Sequence, residues 1–190
     1  MDFRTPRLLD LATVSEQSIL GCFHAAANSH LRQAAAAADD TFRPLATPAP
    51  AGLRAVYAAR TSYADALGVR APNAATTYFT ASQRTRASHG YFTTTITAPA
   101  DDVAATWRHP EVSGAPGGGV SHFFGYARAD VAVVLVRTPD GIEHYAPATG
   151  GIWWTPALLD EASEWAVKDS SWRAVAADGA LLAHGSGYDQ

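Results

Sequence analysis

Val131-Ala132-Val133-Val134-Leu135-Val136-Arg137, followed at once by Thr138-Pro139-Asp140-Gly141, is the stretch on which a reading of this chain turns. The run from Val131 to Val136 is apolar throughout and mostly β-branched. That composition predicts a strand buried in the middle of a sheet. Pro139-Asp140-Gly141 supplies turn chemistry, so Ile142 to Ala146 should return antiparallel. Further on, Thr155-Pro156 has the form of a cap followed by proline at the first helical position. Leu158, Leu159, Ala162, Trp165 and Ala166 then give an apolar helical face, predicting a helix that roofs the ribbon. Ser171 to Ala176, Asp178-Gly179 and Ala180 to His184 read as a second hairpin.

Working toward the N-terminus, Val120 to Tyr126, Tyr91 to Thr97 and Thr76 to Thr80 are rich in Thr, Val and aromatics and read as strands. Pro99 to Trp107 reads as a short helix, with Asp101 and Asp102 in its first turn. The first seventy residues have a helical character. Thr13-Val14-Ser15-Glu16 has the form of a capping box, so a helix should begin near Val14. Ile19, Phe23, Ala26, Ala27, Leu31 and Ala34 form its stripe, and it should stop by about Ala38. Pro44 to Pro50 is a stiff connector. A second helix is expected over Gly52 to Leu67, with Leu53, Val56, Tyr57, Arg60, Ala64 and Leu67 on one side and Gly68 just past its end. The fold class expected is therefore α+β: two N-terminal helices packed on a mainly antiparallel sheet, with one further helix near the C-terminus. A single domain should span 1–190, with 1–70 helical and 76–184 forming the sheet.

Composition narrows the function classes. Hydrophobic residues at 47% and charged residues at 17% fit a soluble globular protein rather than a disordered one. A net charge of −4 argues against a nucleic-acid partner, which needs a basic face. All basic residues but Lys168 are arginine, and Ala and Gly abound, which points to a GC-rich, bacterial source. Cys22 is the sole cysteine, so no intrachain disulfide forms. With neither a signal-peptide pattern at Met1 to Pro6 nor an apolar run of membrane-spanning length, a cytoplasmic protein with no membrane partner is expected.

Candidate site residues gather in the second half. Every tryptophan lies between Trp107 and Trp172. Phe123/Phe124 and Trp153/Trp154 each place one ring on either side of a strand. One ring of each pair serves the core; the other must be covered by a helix, a partner or a ligand. His122, Tyr126, His144, Tyr145, Trp153 and Trp154 are the expected wall of an aromatic site. Gly117, Gly118 and Gly119 are its movable edge. These glycines precede a strand rather than a helix, so phosphate binding is not expected. No histidine spacing suits a metal, and no cofactor is expected.

Gln17, five residues ahead of Gly21-Cys22 and an Ala-rich helix-forming run, resembles the pattern of papain-like cysteine hydrolases and their transglutaminase-like relatives. The resemblance implies a Cys22 nucleophile, an oxyanion donor in Gln17 and a base in His122. Ala146-Pro147-Ala148-Thr149-Gly150 is similar to the Asp-Pro-x-x-Gly segment that holds the third catalytic residue there. Ala146 stands in place of that Asp, so the orienting carboxylate is missing. Taken on their own, the residues around Cys22 describe a small thiol packed beside Ile19 and Phe23. Three readings follow. The preferred one is a non-catalytic binding domain for a small molecule or protein, with an aromatic-lined pocket or interface. The alternatives are a Cys–His hydrolase or acyltransferase, and an assembly subunit of a bacterial or phage complex; a homo-oligomer is compatible with each.

Overall fold

A computed structural model of the chain describes residues 5–37, 48–83, 91–107, 111–113, 120–158 and 169–186. Asp10 caps a 3-10 turn over Leu11–Thr13, its carboxylate accepting from the Ala12 N–H. The single α-helix among the described residues, α1 (Glu16–Ala37), follows. Its cap is Ser15 rather than Thr13: the Ser15 hydroxyl accepts from the Ser18 N–H at 3.2 Å. Thr13 Oγ1 instead donates to the Asp10 carbonyl, closing the preceding turn.

The expected second helix is a pair of strands, β2 (Arg54–Arg60) and β3 (Ala64–Arg70). Alanine made this stretch look helical, but a period of two runs through it: Ala64 and Ala66 are buried while Asp65 and Leu67 are less so. The break between the strands is a side-chain turn. Thr61 Oγ1 accepts from the N–H groups of Tyr63 and Ala64. Gly68 lies inside β3, not beyond a helix end, and a Cβ there would sit 2.7 Å from Ile152 Cδ1.

With β1 (Arg7–Leu8), β4 (Thr76–Gln83) and β5 (Tyr91–Thr97), these strands form a five-stranded antiparallel meander in chain order. The remaining strands are β6 (Glu111–Ser113), β7 (Val120–Tyr126), β8 (Val131–Arg137), β9 (Glu143–Thr149), β10 (Ile152–Leu158), β11 (Ser171–Ala176) and β12 (Leu181–Ser186). They build a second sheet in the order β12-β11-β8-β9-β10-β7-β6. The expected β8–β9 hairpin forms as read, Val133 opposite Pro147 through Arg137 opposite Glu143, with Gly141 at φ +81° in its turn. β8 is an interior strand, yet only its Val131, Val134 and Val136 side is fully buried. The β11–β12 hairpin also forms as read.

Two more expected helices do not appear among the described residues. Thr155 and Pro156 do not start one; they lie within β10, opposite Phe123 and His122 of β7. The run Trp153-Trp154-Thr155 favours a strand, and Pro156 is tolerated because its missing N–H faces away from β7. Residues 159–168, the rest of that expected helix, lie outside the described residues. Pro99 to Trp107 is not helical either. It is extended where Ala105 bridges Ala127, and Thr106 N–H donates to the Tyr126 carbonyl. The fold is thus mainly β: one N-terminal helix on two antiparallel sheets, the second curled into a half-barrel.

Three apolar clusters hold the layers. On the outer face of the first sheet, Cys22 and Phe23 of α1 pack on Val69, with Ile19, Leu67 and Tyr78 around them. Between the sheets, Tyr57, Phe79 and Ile96 meet Val120, Phe124, Ile152 and Trp154. Inside the half-barrel, Phe123, Trp153, Val134, Val136, Ala146, Trp172 and Ala174 pack together, with Trp107 against them. Alternation along β7 and β10 explains the division: each adjacent aromatic pair sends one ring to each side. No described helix is long and apolar enough to cross a membrane.

Candidate functional site

The chemistry of the half-barrel begins at a turn. Thr149-Gly150-Gly151-Ile152 closes the β9–β10 hairpin with both glycines at positive φ, +60° and +82°. Ile152 pairs with Thr149 and Trp153 with Ala148, and the printed ladder between the two strands ends there. Continuing that register would set Trp154 opposite Pro147 and Pro156 opposite Tyr145. Both are positions at which an antiparallel ladder exchanges hydrogen bonds. Each meets a proline, which has no N–H to give. The seam therefore parts beyond the turn.

Tyrosines from the first sheet serve the carbonyls left behind. The Tyr57 hydroxyl lies 3.4 Å from the Trp154 carbonyl and 3.5 Å from the Pro147 carbonyl. Tyr63, in the β2–β3 turn, donates to the Pro156 carbonyl at 3.0 Å. Tyr57 is fully buried, and burial pushes its phenol well above the ordinary range, so it stays a donor.

Two hydroxyls beside this seam have no partner. Ser121 Oγ and Thr155 Oγ1 are buried and make no hydrogen bond. Their residues are 1% and 0% exposed. Ser121 stands opposite Ala157, and Thr155 opposite Phe123, so the two are diagonal neighbours on the concave face. The indole N–H groups of Trp107 and Trp172, which belong to the same apolar cluster, are also unpartnered. Trp153, whose ring lies 5.9 Å from that of Trp107, is satisfied: its Nε1 donates to the Thr106 carbonyl at 2.9 Å. Ala146, Ala157 and Ala174 belong to the same cluster. Native interiors leave few such groups unpaired.

The residues expected to line one aromatic wall divide between two faces. His122 and Trp154 lie between the sheets, where Trp154 Nε1 donates to His122 Nδ1 at 3.2 Å. The His122 ring packs 5.0 Å from Phe92, and burial pushes its pKa down to about 3, so it is neutral. Tyr126 borders the same cluster, half-buried. Trp153 and His144 belong to the other face. His144 Nε2 sits 3.3 Å from Thr138 Oγ1, which also donates to Asp140 at 2.6 Å. Tyr145 points outward, 46% exposed. Gly117, Gly118 and Gly119 lie outside the described residues.

Cys22 and His122 do not converge. Cys22 packs on the outer face of the first sheet and His122 beyond its inner face, so a whole sheet separates them. The thiol donates toward the carbonyls of Leu67 and Tyr78, and burial pushes its pKa up to about 11. Gln17 is exposed on α1. Among the described residues, no cluster of His, Cys, Asp and Glu has the makings of a metal site.

A second concavity, of about 530 Å³, lies on the outer face between the N-terminal turn and β2–β4. Its polar groups already serve one another: Ser15 with Ser18 at 2.8 Å, and Arg60 with Asp65 at 2.7 Å.

No family, curated protein or solved structure matches this chain. Its function has to be argued from its own geometry.

Sequence reasoning passed over Tyr57, Tyr63, Ser121 and Thr155. Pro147 and Pro156, flanking Gly150-Gly151, were the available signal. Two prolines across one hairpin leave carbonyls that something must serve.

Proposed function

We propose that this chain is a non-catalytic binding module whose ligand, a small molecule, sits on the concave face of the second sheet beside the parted β9–β10 seam. The observation that carries this reading is the pair of buried, unpartnered hydroxyls of Ser121 and Thr155. Leaving such a group unsatisfied costs about 1–3 kcal/mol. A ligand that satisfies both recovers that cost on binding. The tryptophans of the same cluster supply the flat apolar walls typical of small-molecule sites. Among the described residues, neither the Ser121 nor the Thr155 hydroxyl is hydrogen-bonded to a base, an arrangement that suits binding better than nucleophilic catalysis. Support for the assembly reading is weaker, because the Cys22/Phe23 side of α1 is already covered by its own first sheet.

A thermal-shift screen of small organic fragments tests the proposal, run on the wild type and on Thr155→Val side by side. The expected result is a set of fragments that raise the melting temperature and shift tryptophan emission of the wild type only. Fragments acting equally on both proteins would place binding elsewhere and contradict the reading.

A further inference from the structure

We propose that two copies of this chain pair along β12, edge to edge and antiparallel, about a two-fold axis at His184. The second sheets of the two copies then join into one continuous sheet. This surface is separate from the concave face, and the proposal does not depend on the ligand-binding reading.

A sheet edge presents a row of N–H and C=O groups that a further strand can complete. Native proteins blunt such edges with short strands, charge, proline or a covering element. Among the described strands, β1, β5, β6 and β12 end the two sheets. β1 has two residues and β6 three. β5 has seven, but α1 packs along it, the Ser29 hydroxyl donates to its Thr93 carbonyl at 3.4 Å, and β6 lies against it. β12 has none of these guards. It runs Leu-Leu-Ala-His-Gly-Ser, without proline, Asp, Glu, Lys or Arg. Its only neighbour among the described strands is β11. Leu181 is 57% exposed and His184 is exposed, so no described element lies over this end of the sheet.

What completes a strand edge is another extended segment, and a second copy of β12 is one. Like-with-like pairing sets identical side chains against each other at the axis, which a charged strand resists and β12 does not. Arg173, the neighbour of His184 on β11, is neutralised by Glu143. The pleat fixes the register. Residues directly opposite in an antiparallel pair share a face. Ala183 and Gly185 stand opposite the buried Ala174 and Trp172, whereas His184 stands opposite the exposed Arg173. Inner residues must meet inner ones, so the axis passes through a residue and not between two. The bulge of β12 falls between Leu181 and Ala183, toward the turn, and leaves Ala183 to Ser186 regular. An axis at His184 uses that regular part. It sets Ala183 against the partner's Gly185, two residues small enough for close approach, and brings the two His184 rings together on the outer face. Strands this short meet over less than a standard interface, so the dimer is a weak one that forms with concentration.

Sedimentation of the intact chain, from about 1 μM to about 1 mM, tests the pairing. The average mass should rise from monomer toward dimer across that range. His184→Lys and His184→Glu each place like charges across the axis and should each weaken the dimer about tenfold. An equimolar mixture of the two variants should recover it as a heterodimer. In the wild type itself, amide hydrogen exchange along β12 should slow as concentration rises, a readout that needs no variant to fold. A wild type that stays monomeric at every concentration overturns the proposal. So does a dimer that both variants form as well as the wild type, or β12 exchange that ignores concentration, because the contact then lies on another surface.

Discussion

Cys22 and His122 show how burial disarms groups that look reactive in a sequence. Cys22 is 4% exposed, and its pKa of about 11 keeps the thiol protonated at neutral pH. Iodoacetamide should label it only on the timescale of unfolding, and denaturant should accelerate labelling strongly; prompt labelling of the native protein would contradict its placement. His122 is neutral when folded, with a pKa near 3 against about 6.5 when unfolded. Between those values the unfolded chain binds the proton and the folded one does not. This histidine's contribution is therefore complete above pH 6.5 and is lost as pH falls toward 3, by about 1.4 kcal/mol per pH unit. Denaturant melts from pH 4 to 7 should show that slope, and His122→Leu should flatten it. Gly125 is constrained differently. A Cβ there would lie 1.9 Å from the Thr106 carbonyl, so Gly125→Ala should force the 104–107 segment off β7 and cost about 2–3 kcal/mol in chemical denaturation.

At the scale of elements, strands announced themselves wherever β-branched and aromatic residues dominated and a turn followed. The β8–β9 and β11–β12 hairpins were legible for that reason. The errors fell where alanine or proline supplied the main cue. Alanine is small enough to fill the crowded space between two sheets, as Ala64 and Ala66 do, so its helical preference yielded to packing. Thr155-Pro156 carried a helix-start signature, but pairing with β7 decided otherwise. The site was legible only as a region. Which ring of Trp153-Trp154 faces which layer depends on the partner sheet, and no local pattern encodes that. The prolines of the seam make their own prediction. Tyr57→Phe keeps the ring and removes the single phenolic proton that lies between the Trp154 and Pro147 carbonyls, so it should cost about 1–2 kcal/mol. Equilibrium denaturation measures this directly; an unchanged stability would mean that the seam's carbonyls do not depend on Tyr57.

For the molecule as a whole, the architecture gives its two sheets different tasks. On the five-stranded meander, α1 packs over β3–β5 on one face, and the β7/β10 region of the second sheet covers the other. The second sheet commits only part of its surface to that contact and curls the rest around a core of its own. Ser121, Thr155, Trp107 and Trp172 all belong to that second core, while the first sheet contributes the tyrosines that hold the seam. Scaffold and proposed site thus meet at one line of carbonyls between β9 and β10. The most direct measurement is a crystal structure at about 1.2 Å resolution of the protein soaked in the fragment that most raises its melting temperature. The account predicts a polar atom of that fragment within hydrogen-bonding distance of Ser121 Oγ or Thr155 Oγ1. Those hydroxyls bound only to water, with the fragment absent or lodged in the outer groove, would contradict it.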